Sequence, residues 1–210
     1  MSSQTYRGPA YRIHTERLIV RCLNPADARL FQETVDDNLE HLRPWLSWTR
    51  HEPRDLNEKI ERLRQLRSAF DAGRDFVFGL FTPDQTRMLG ASGLQTRPGP
   101  GAREIAYWVH RDHCRQGLAT EVAAALVKVA FEVEGVSRVE IHCDPRNTPS
   151  ARIPERLGFE HEATLRGRKR DAAGNTCDEM IWTLFKERYP QSPARQAAVC
   201  AFDVVGRKLL

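Results

Sequence analysis

The sequence predicts an α/β protein, an α+β arrangement built on one mixed sheet flanked by helices, and three observations carry that reading. A short strand, a glycine-bearing turn and an apolar helix follow one another between Glu104 and Gly135. A strand at 136–143 comes straight after that helix, so the two strands can lie parallel through a right-handed crossover. On either side of this unit, extended segments are joined by turns rich in Gly, Pro, Asp and Asn, which read as antiparallel connections.

In chain order, residues 1–14 read as a flexible arm. At 15–23, Leu18, Val20 and Cys22 alternate with Arg17, Ile19 and Arg21 at the period of a strand. Asn24 and Pro25 supply a helix cap and a first-turn residue, with Ala28, Phe31, Val35 and Leu39 at helical spacing and a stop before Pro44. Asp55 caps a second helix, Glu58 completes a capping box, and Leu56, Ile60, Leu63, Leu66 and Phe70 mark the buried stripe. Extended segments at 75–81 and 88–94 flank the turn T-P-D-Q-T, and a Pro/Gly connector leads into the strand at 103–109.

Beyond the central unit, D-P-R-N-T-P-S opens a helix holding Ile153 and Leu157. Its Pro154 is expected near the first turn, where a missing N–H matters least. Extended segments at 160–168 and 177–185 are joined by R-D-A-A-G-N-T. From Tyr189 onward the chain has enough apolar residues for a packed terminal helix or a tail, with Gly206 weakening its end. Capping the monomer, joining a homodimer and trailing free all stay open for it. The division is an arm at 1–14, one domain at 15–188 and a helical extension or tail at 189–210.

A chain of 210 residues with 40% apolar content can bury a real core as one domain. Its formal charge of +4 is too mild to demand nucleic acid, though clustered arginines assist capture of a polyanionic ligand. Cys22, Cys114, Cys143, Cys177 and Cys200 are odd in number and widely spaced, with neither a disulfide framework nor a C-x-x-C metal pair. A reducing compartment is favoured. No signal peptide or apolar run of membrane-spanning length is present, so a cytoplasmic location is expected. No histidine cluster points to a metal.

The turn H-R-D-H-C-R-Q-G-L-A-T brings backbone N–H groups to a helix start beside Arg111 and Arg115, which is an anion site in prospect. Gly117 lets the backbone approach a phosphate, and Ala119 keeps the first helical turn open. The alternative is a glycine that only serves helix packing.

C-R-Q-G-L-A, from Cys114 to Ala119, resembles the pyrophosphate motif R/Q-x-x-G-x-G/A of the GNAT superfamily of acyl-CoA N-acyltransferases. Cys114 stands where that motif has Arg or Gln, so Arg115, Gln116 or the backbone must compensate. With A-Y-W-V before it and N-T-P-S-A-R-I-P-E-R-L-G-F after it, the segment resembles the RimJ/RimL branch, over about Thr15 to Phe185. The resemblance implies a GNAT-like fold with a splayed central sheet, acetyl-CoA as acyl donor and no metal.

It also implies roles. Arg115, Gln116, Gly117, Leu118, Ala119 and Thr120 would cradle the phosphates, and Tyr107, Trp108 and Val109 would hydrogen-bond the pantetheine arm through their backbone. Asn147 and Ser150 match the branch's N-x-x-S, with Asn147 beside the cofactor and Ser150 donating to the departing thiolate. Their plain alternative is an Asx turn and a helix cap. Trp45 and Trp48 would wall the acceptor site, or else anchor a loop on the core. Glu162 aligns with the glutamate of L-G-F-x-x-E-G, although Ala163 replaces the glycine.

An amine that attacks a thioester must be neutral, and the developing oxyanion needs a donor such as a backbone N–H near Trp108 or Val109. Glu104, Glu162, His110 and His142 are the residues that can accept the proton, each with a structural alternative. The expected activity is therefore acetyl transfer from acetyl-CoA to a primary amine of a small molecule or a protein N-terminus, by direct attack in a ternary complex. A noncatalytic acyl-CoA sensor is the second reading. A nucleic-acid module resting on Arg166 to Arg170 is the third, a stretch better read as a charged edge.

Overall fold

A computed structural model of the chain describes residues 8–210. In order, the elements are β1 (Arg12–His14), β2 (Ile19–Cys22), α1 (Ala28–Asp36), α2 (Leu39–Leu42), α3 (Leu56–Asp71), β3 (Phe76–Phe81) and β4 (Met88–Gln95). They continue with β5 (Ala102–Val109), α4 (Leu118–Glu132), β6 (Arg138–Cys143), α5 (Thr148–Arg156), β7 (Glu160–Arg170), β8 (Thr176–Phe185) and β9 (Cys200–Phe202). The strands form one mixed sheet in the order β7-β8-β6-β5-β4-β3-β2-β1-β9. All neighbours are antiparallel except β5 and β6, which α4 joins as a parallel pair.

The helices divide over the two faces. Buried residues of α4, among them Val122, Leu126 and Val129, join Phe78, Leu94, Ile105 and Val139 in the main core. Phe31, Val35 and Leu63, from α1 and α3, pack with Ile19, Phe81 and Ala91 on the opposite face. The capping box on α3 forms as expected, Asp55 accepting from Glu58 N–H and Glu58 from Asp55 N–H. Asn24 caps a short 3₁₀ turn, Pro25–Asp27, that precedes α1 rather than α1 itself.

Three expectations are corrected. Residues 1–7 of the expected arm lie outside the described residues, whereas Arg12–His14 are strand, held between β2 and β9. The terminal segment is not one helix. Pro190 and Pro193 each lack the N–H a helix needs, so it forms two 3₁₀ turns, Tyr189–Gln191 and Pro193–Gln196, and then β9 on the sheet edge. Tyr189 stacks on Phe131 at 4.7 Å, tying this segment to α4. Finally, Pro154 lies in the second turn of α5, not near its first.

Candidate active site

The geometry begins with a failure of pairing. β5 and β6 match only at Ala102 with Arg138, Arg103 with Val139 and Glu104 with Glu140. Beyond Glu104 the strands part, while β5 stays paired with β4 as far as Val109 opposite Gly90. Tyr107, Trp108 and Val109 therefore keep one backbone edge toward a gap. Gly90 is required here, because a Cβ at this position would lie 2.2 Å from the carbonyl oxygen of Trp108.

Alternation along β5 sends side chains to opposite faces of this gap. Tyr107 packs with the α4 core and Trp108 with the α1–α3 cluster. On the α4 side, the Tyr107 hydroxyl donates to the Ser150 carbonyl at 3.1 Å and lies 3.3 Å from Ser150 Oγ. Asn147 caps α5 by accepting from Ser150 N–H at 3.2 Å. Burial pushes the Tyr107 pKa up, which keeps its hydroxyl a donor. The capping role weighed for this N-x-x-S thus falls to Asn147, and the Ser150 hydroxyl faces Tyr107.

On the opposite face, Trp48 lies 6.4 Å from Trp108 between ring centroids. Trp45 is 36% exposed and stacks on no aromatic ring among the described residues. The segment carrying them is anchored by a buried ion pair, Lys59 Nζ to Glu52 Oε2 at 2.5 Å, with the Lys59 side chain fully shielded.

The carboxylates separate. Glu104 is gripped by Arg97 through Nε at 3.1 Å and Nη2 at 2.5 Å. His142 reaches Glu140 at 2.8 Å, Glu179 at 3.4 Å and Glu104 at 3.7 Å, while Lys169 pairs with Glu179 at 2.6 Å. This alternating network spans β5, β6, β7 and β8, starting at the last paired position of β5 and β6. Burial alone would lower the His142 pKa, but Glu179, Glu104 and Glu140 outweigh it and raise it. The three carboxylates thus favour the protonated imidazole relative to a free histidine.

Glu162 sits elsewhere on the same face. A bulge in β7 between His161 and Ala163 takes Glu162 out of register and re-aims its side chain. Its carboxylate accepts from the Thr183 hydroxyl. It lines a groove of about 390 Å³ with Arg138, Glu140, Ala163, Ile181 and Phe185. A larger hollow of about 540 Å³ lies beside α3 and contains none of the predicted site residues.

The turn beyond Val109 is built to present N–H groups. It contains a 3₁₀ turn, Arg111–His113, then Arg115 at φ 61° and Gly117 at φ 83°. The N–H groups of residues 115–120 have no acceptor among the described residues. Gly117 offers no side chain to cap α4, so the N-terminal N–H groups of the helix stay available for an anion. His110 supports the turn, its Nδ1 accepting from Asp112 N–H at 3.3 Å. Cys114 Sγ lies 3.5 Å from His41 and near the carbonyls of Val109 and His110, and burial pushes its thiol pKa up.

The profile of the acetyltransferase (GNAT) domain matches residues 17–160. The chain belongs to the GNAT acetyltransferase family. This acetyltransferase is 28% identical over 162 residues to the [ribosomal protein uS5]-alanine N-acetyltransferase of Escherichia coli K12, covering 73% of the chain and 80% of that relative. Its fold is similar to that of Mycobacterium smegmatis RimJ in complex with CoA-disulfide, with a TM-score of 0.76 at 23% identity over 88% of this chain and 92% of that one. It also resembles the ribosomal-protein-S5-alanine acetyltransferase from Vibrio fischeri, with a TM-score of 0.73 at 20% identity, 85% of this chain and 98% of that one. The acetyltransferase is thus similar in fold to RimJ and in sequence to a ribosomal-protein alanine N-acetyltransferase.

Besides Arg97, Glu140, Glu179 and Lys169, four further residues around the site were not singled out from the sequence. Asn38, fully buried, accepts from Arg111 N–H at 2.7 Å and donates to Thr34 O at 2.6 Å, pinning the turn to α1. Lys59, Thr183 and Arg17 are the others. Asn38, Thr183 and Arg17 act on partners 21 to 99 residues away in the chain, Lys59 on Glu52 seven residues before it, and no local motif marks them. Among the described residues no helix is long and apolar enough to cross a membrane, and no group of three or more His, Cys, Asp or Glu is arranged for a metal ion.

Proposed function

We propose that this acetyltransferase moves the acetyl group of acetyl-CoA to the α-amine of a protein N-terminus, by direct attack in a ternary complex. The observation that carries the reading is the parting of β5 from β6 after Glu104, with Tyr107 and Ser150 on one face and Trp108 and Trp48 on the other. The unpartnered N–H groups of the turn at 115–120 fit a pyrophosphate, and the open edge of Tyr107 to Val109 fits an amide-bearing arm. Asn147 holds α5 so that the Ser150 hydroxyl is offered as donor to the leaving thiolate. A backbone N–H in the Trp108–Val109 stretch serves the developing oxyanion.

Proton removal supports the choice of acceptor. His142 is hemmed in by Glu140, Glu179 and Glu104, and Glu104 is gripped by Arg97, which leaves Glu162, backed by Thr183, as the carboxylate that takes the proton through water. A site with a carboxylate as its base favours an α-amine, whose pKa of about 8 is far below the roughly 10.4 of a lysine. The uS5-alanine enzymes it resembles add the substrate class, the N-terminus of a ribosomal protein. Trp48 and Trp108 would hold the first side chain of such a terminus.

The test is incubation with acetyl-CoA and three acceptor sets: peptides with free α-amines, the same peptides with blocked N-termini and one lysine, and small amines. Mass spectrometry and thiol release then identify product. Acetylation confined to free N-termini is expected. Acetylation only of lysine or small amines would overturn the substrate class, and coenzyme A binding without transfer to any acceptor would favour a sensor.

A further inference from the structure

The motif's Arg or Gln is absent at Cys114, yet an arginine reaches the same turn from elsewhere in the fold. We propose that Arg17 is a positioning residue that sets the phosphate turn for the acyl donor, an inference that rests on the acetyl-CoA reading above. Its Nη1 donates to the carbonyl oxygen of Gln116 at 2.8 Å, across 99 residues of chain. The Gln116–Gly117 peptide is trans, so its C=O and N–H point in opposite directions. Holding the carbonyl toward Arg17 turns the Gly117 N–H away from it, into the row of unpartnered donors at 115–120.

The rest of the guanidinium is committed to Glu121, at 2.7 Å from Nε and 2.6 Å from Nη2. Glu121 lies in the first turn of α4, where its charge would otherwise repel a pyrophosphate at the same helix end. Arg17 N–H and the Thr15 hydroxyl also donate to Glu121, at 3.0 and 2.6 Å, so the carboxylate is held from three sides. A Cβ on Gly117 would lie 3.4 Å from Arg17 Nη2. The glycine thus allows both the left-handed backbone and the close seat of the guanidinium. One residue orients a donor and neutralises the anion beside it.

The experiment compares wild type, Arg17→Ala, Arg17→Lys and the double variant Arg17→Ala/Glu121→Gln on two donors, acetyl-CoA and S-acetylpantetheine, which lacks every phosphate. Arg17→Ala is expected to raise KM for acetyl-CoA about tenfold, as for a lost charge-assisted hydrogen bond, with kcat changed less than about twofold. The gap to wild type should close on S-acetylpantetheine, a split that a general loss of structure would not produce. Lysine keeps the charge but cannot span Gln116 and Glu121 together, so it should rescue only in part. Removing the Glu121 charge from the alanine variant should recover part of the affinity.

An equal loss on both donors, or a loss in kcat alone, would overturn the proposal, and thermal melts check that each variant is folded. Should wild type acetylate nothing, the transfer reading fails separately, and coenzyme A titrations still decide about Arg17. Equal affinity of wild type and Arg17→Ala for coenzyme A would then sink it, and no binding by either would sink both readings.

Discussion

The Tyr107 hydroxyl donates to the carbonyl oxygen of Ser150 at 3.1 Å, and that carbonyl is the one Pro154 leaves without a helical partner. In a regular helix the N–H four residues on would take it, but proline has none. Tyr107 has a single proton. Ser150 Oγ lies 3.3 Å away, and either hydroxyl can be the donor of that contact.

Changing Ser150 to Ala should lower kcat by about 10²-fold, in the range of lost proton-donor catalysis, with little effect on KM for acetyl-CoA. Pro154→Ala restores the helical N–H, competes with Tyr107 and should reduce kcat about fivefold, the worth of one ordinary hydrogen bond. Tyr107→Phe should act in the same direction. Steady-state kinetics on the double variant should show the two losses to be non-additive; strictly additive losses would uncouple Pro154 from Tyr107.

Asn38 ties the phosphate turn to α1 through Arg111 N–H. Asn38→Ala leaves that N–H and the Thr34 carbonyl without this partner in a buried setting, at about 1–3 kcal/mol. A raised KM for acetyl-CoA and a lower denaturation midpoint are expected together. A stability loss with an unaltered KM would mean that the turn holds its shape without Asn38.

The buried pair of Lys59 and Glu52 anchors the segment that carries Trp48. Lys59→Ala strands the Glu52 carboxylate and should cost about 3–5 kcal/mol in urea unfolding, whereas Lys59→Met with Glu52→Leu should be far milder. Trp48→Ala should raise KM for the acceptor peptide while leaving KM for acetyl-CoA near wild type.

The His142 network predicts a pH dependence of stability. Its folded pKa is raised above 6.5, so its contribution is fully present below 6.5 and is lost as pH rises through the folded value. Glu179 moves oppositely: despite burial, His142 and Lys169 hold it at about 2, so its contribution is present above 4.5 and lost as pH falls toward 2. The charged groups of the network are Glu104, Glu140, Glu179, Arg97, Arg138 and Lys169. The difference in melting temperature between wild type and His142→Gln should be largest below pH 6.5 and shrink on the alkaline side. A flat difference would contradict it.

Much of the site was legible where its information is local. Gly117 at the end of a strand–turn unit, the N-x-x-S of Asn147 and Ser150 and the capping box of Asp55 are set by neighbouring residues. Glu104 and His142 were legible only as isolated candidates. Their contacts with Arg97 and with three carboxylates depend on strand register across the sheet. Pro154 read as harmless because its partner carbonyl is meaningful only once Tyr107 faces it.

By itself the sequence determined the order of the main strands and helices from β2 to β8, the parallel crossover through α4, the glycine turn and the family to which these belong. Periodicity, caps and turn residues act over a few positions and need no knowledge of the rest. Only the tertiary structure decided that β5 and β6 part after Glu104, that β9 closes the sheet beside β1, that Lys59 is buried on Glu52, and that Arg17 reaches Gln116. These are contacts between residues brought together by packing and register, and no local pattern encodes them.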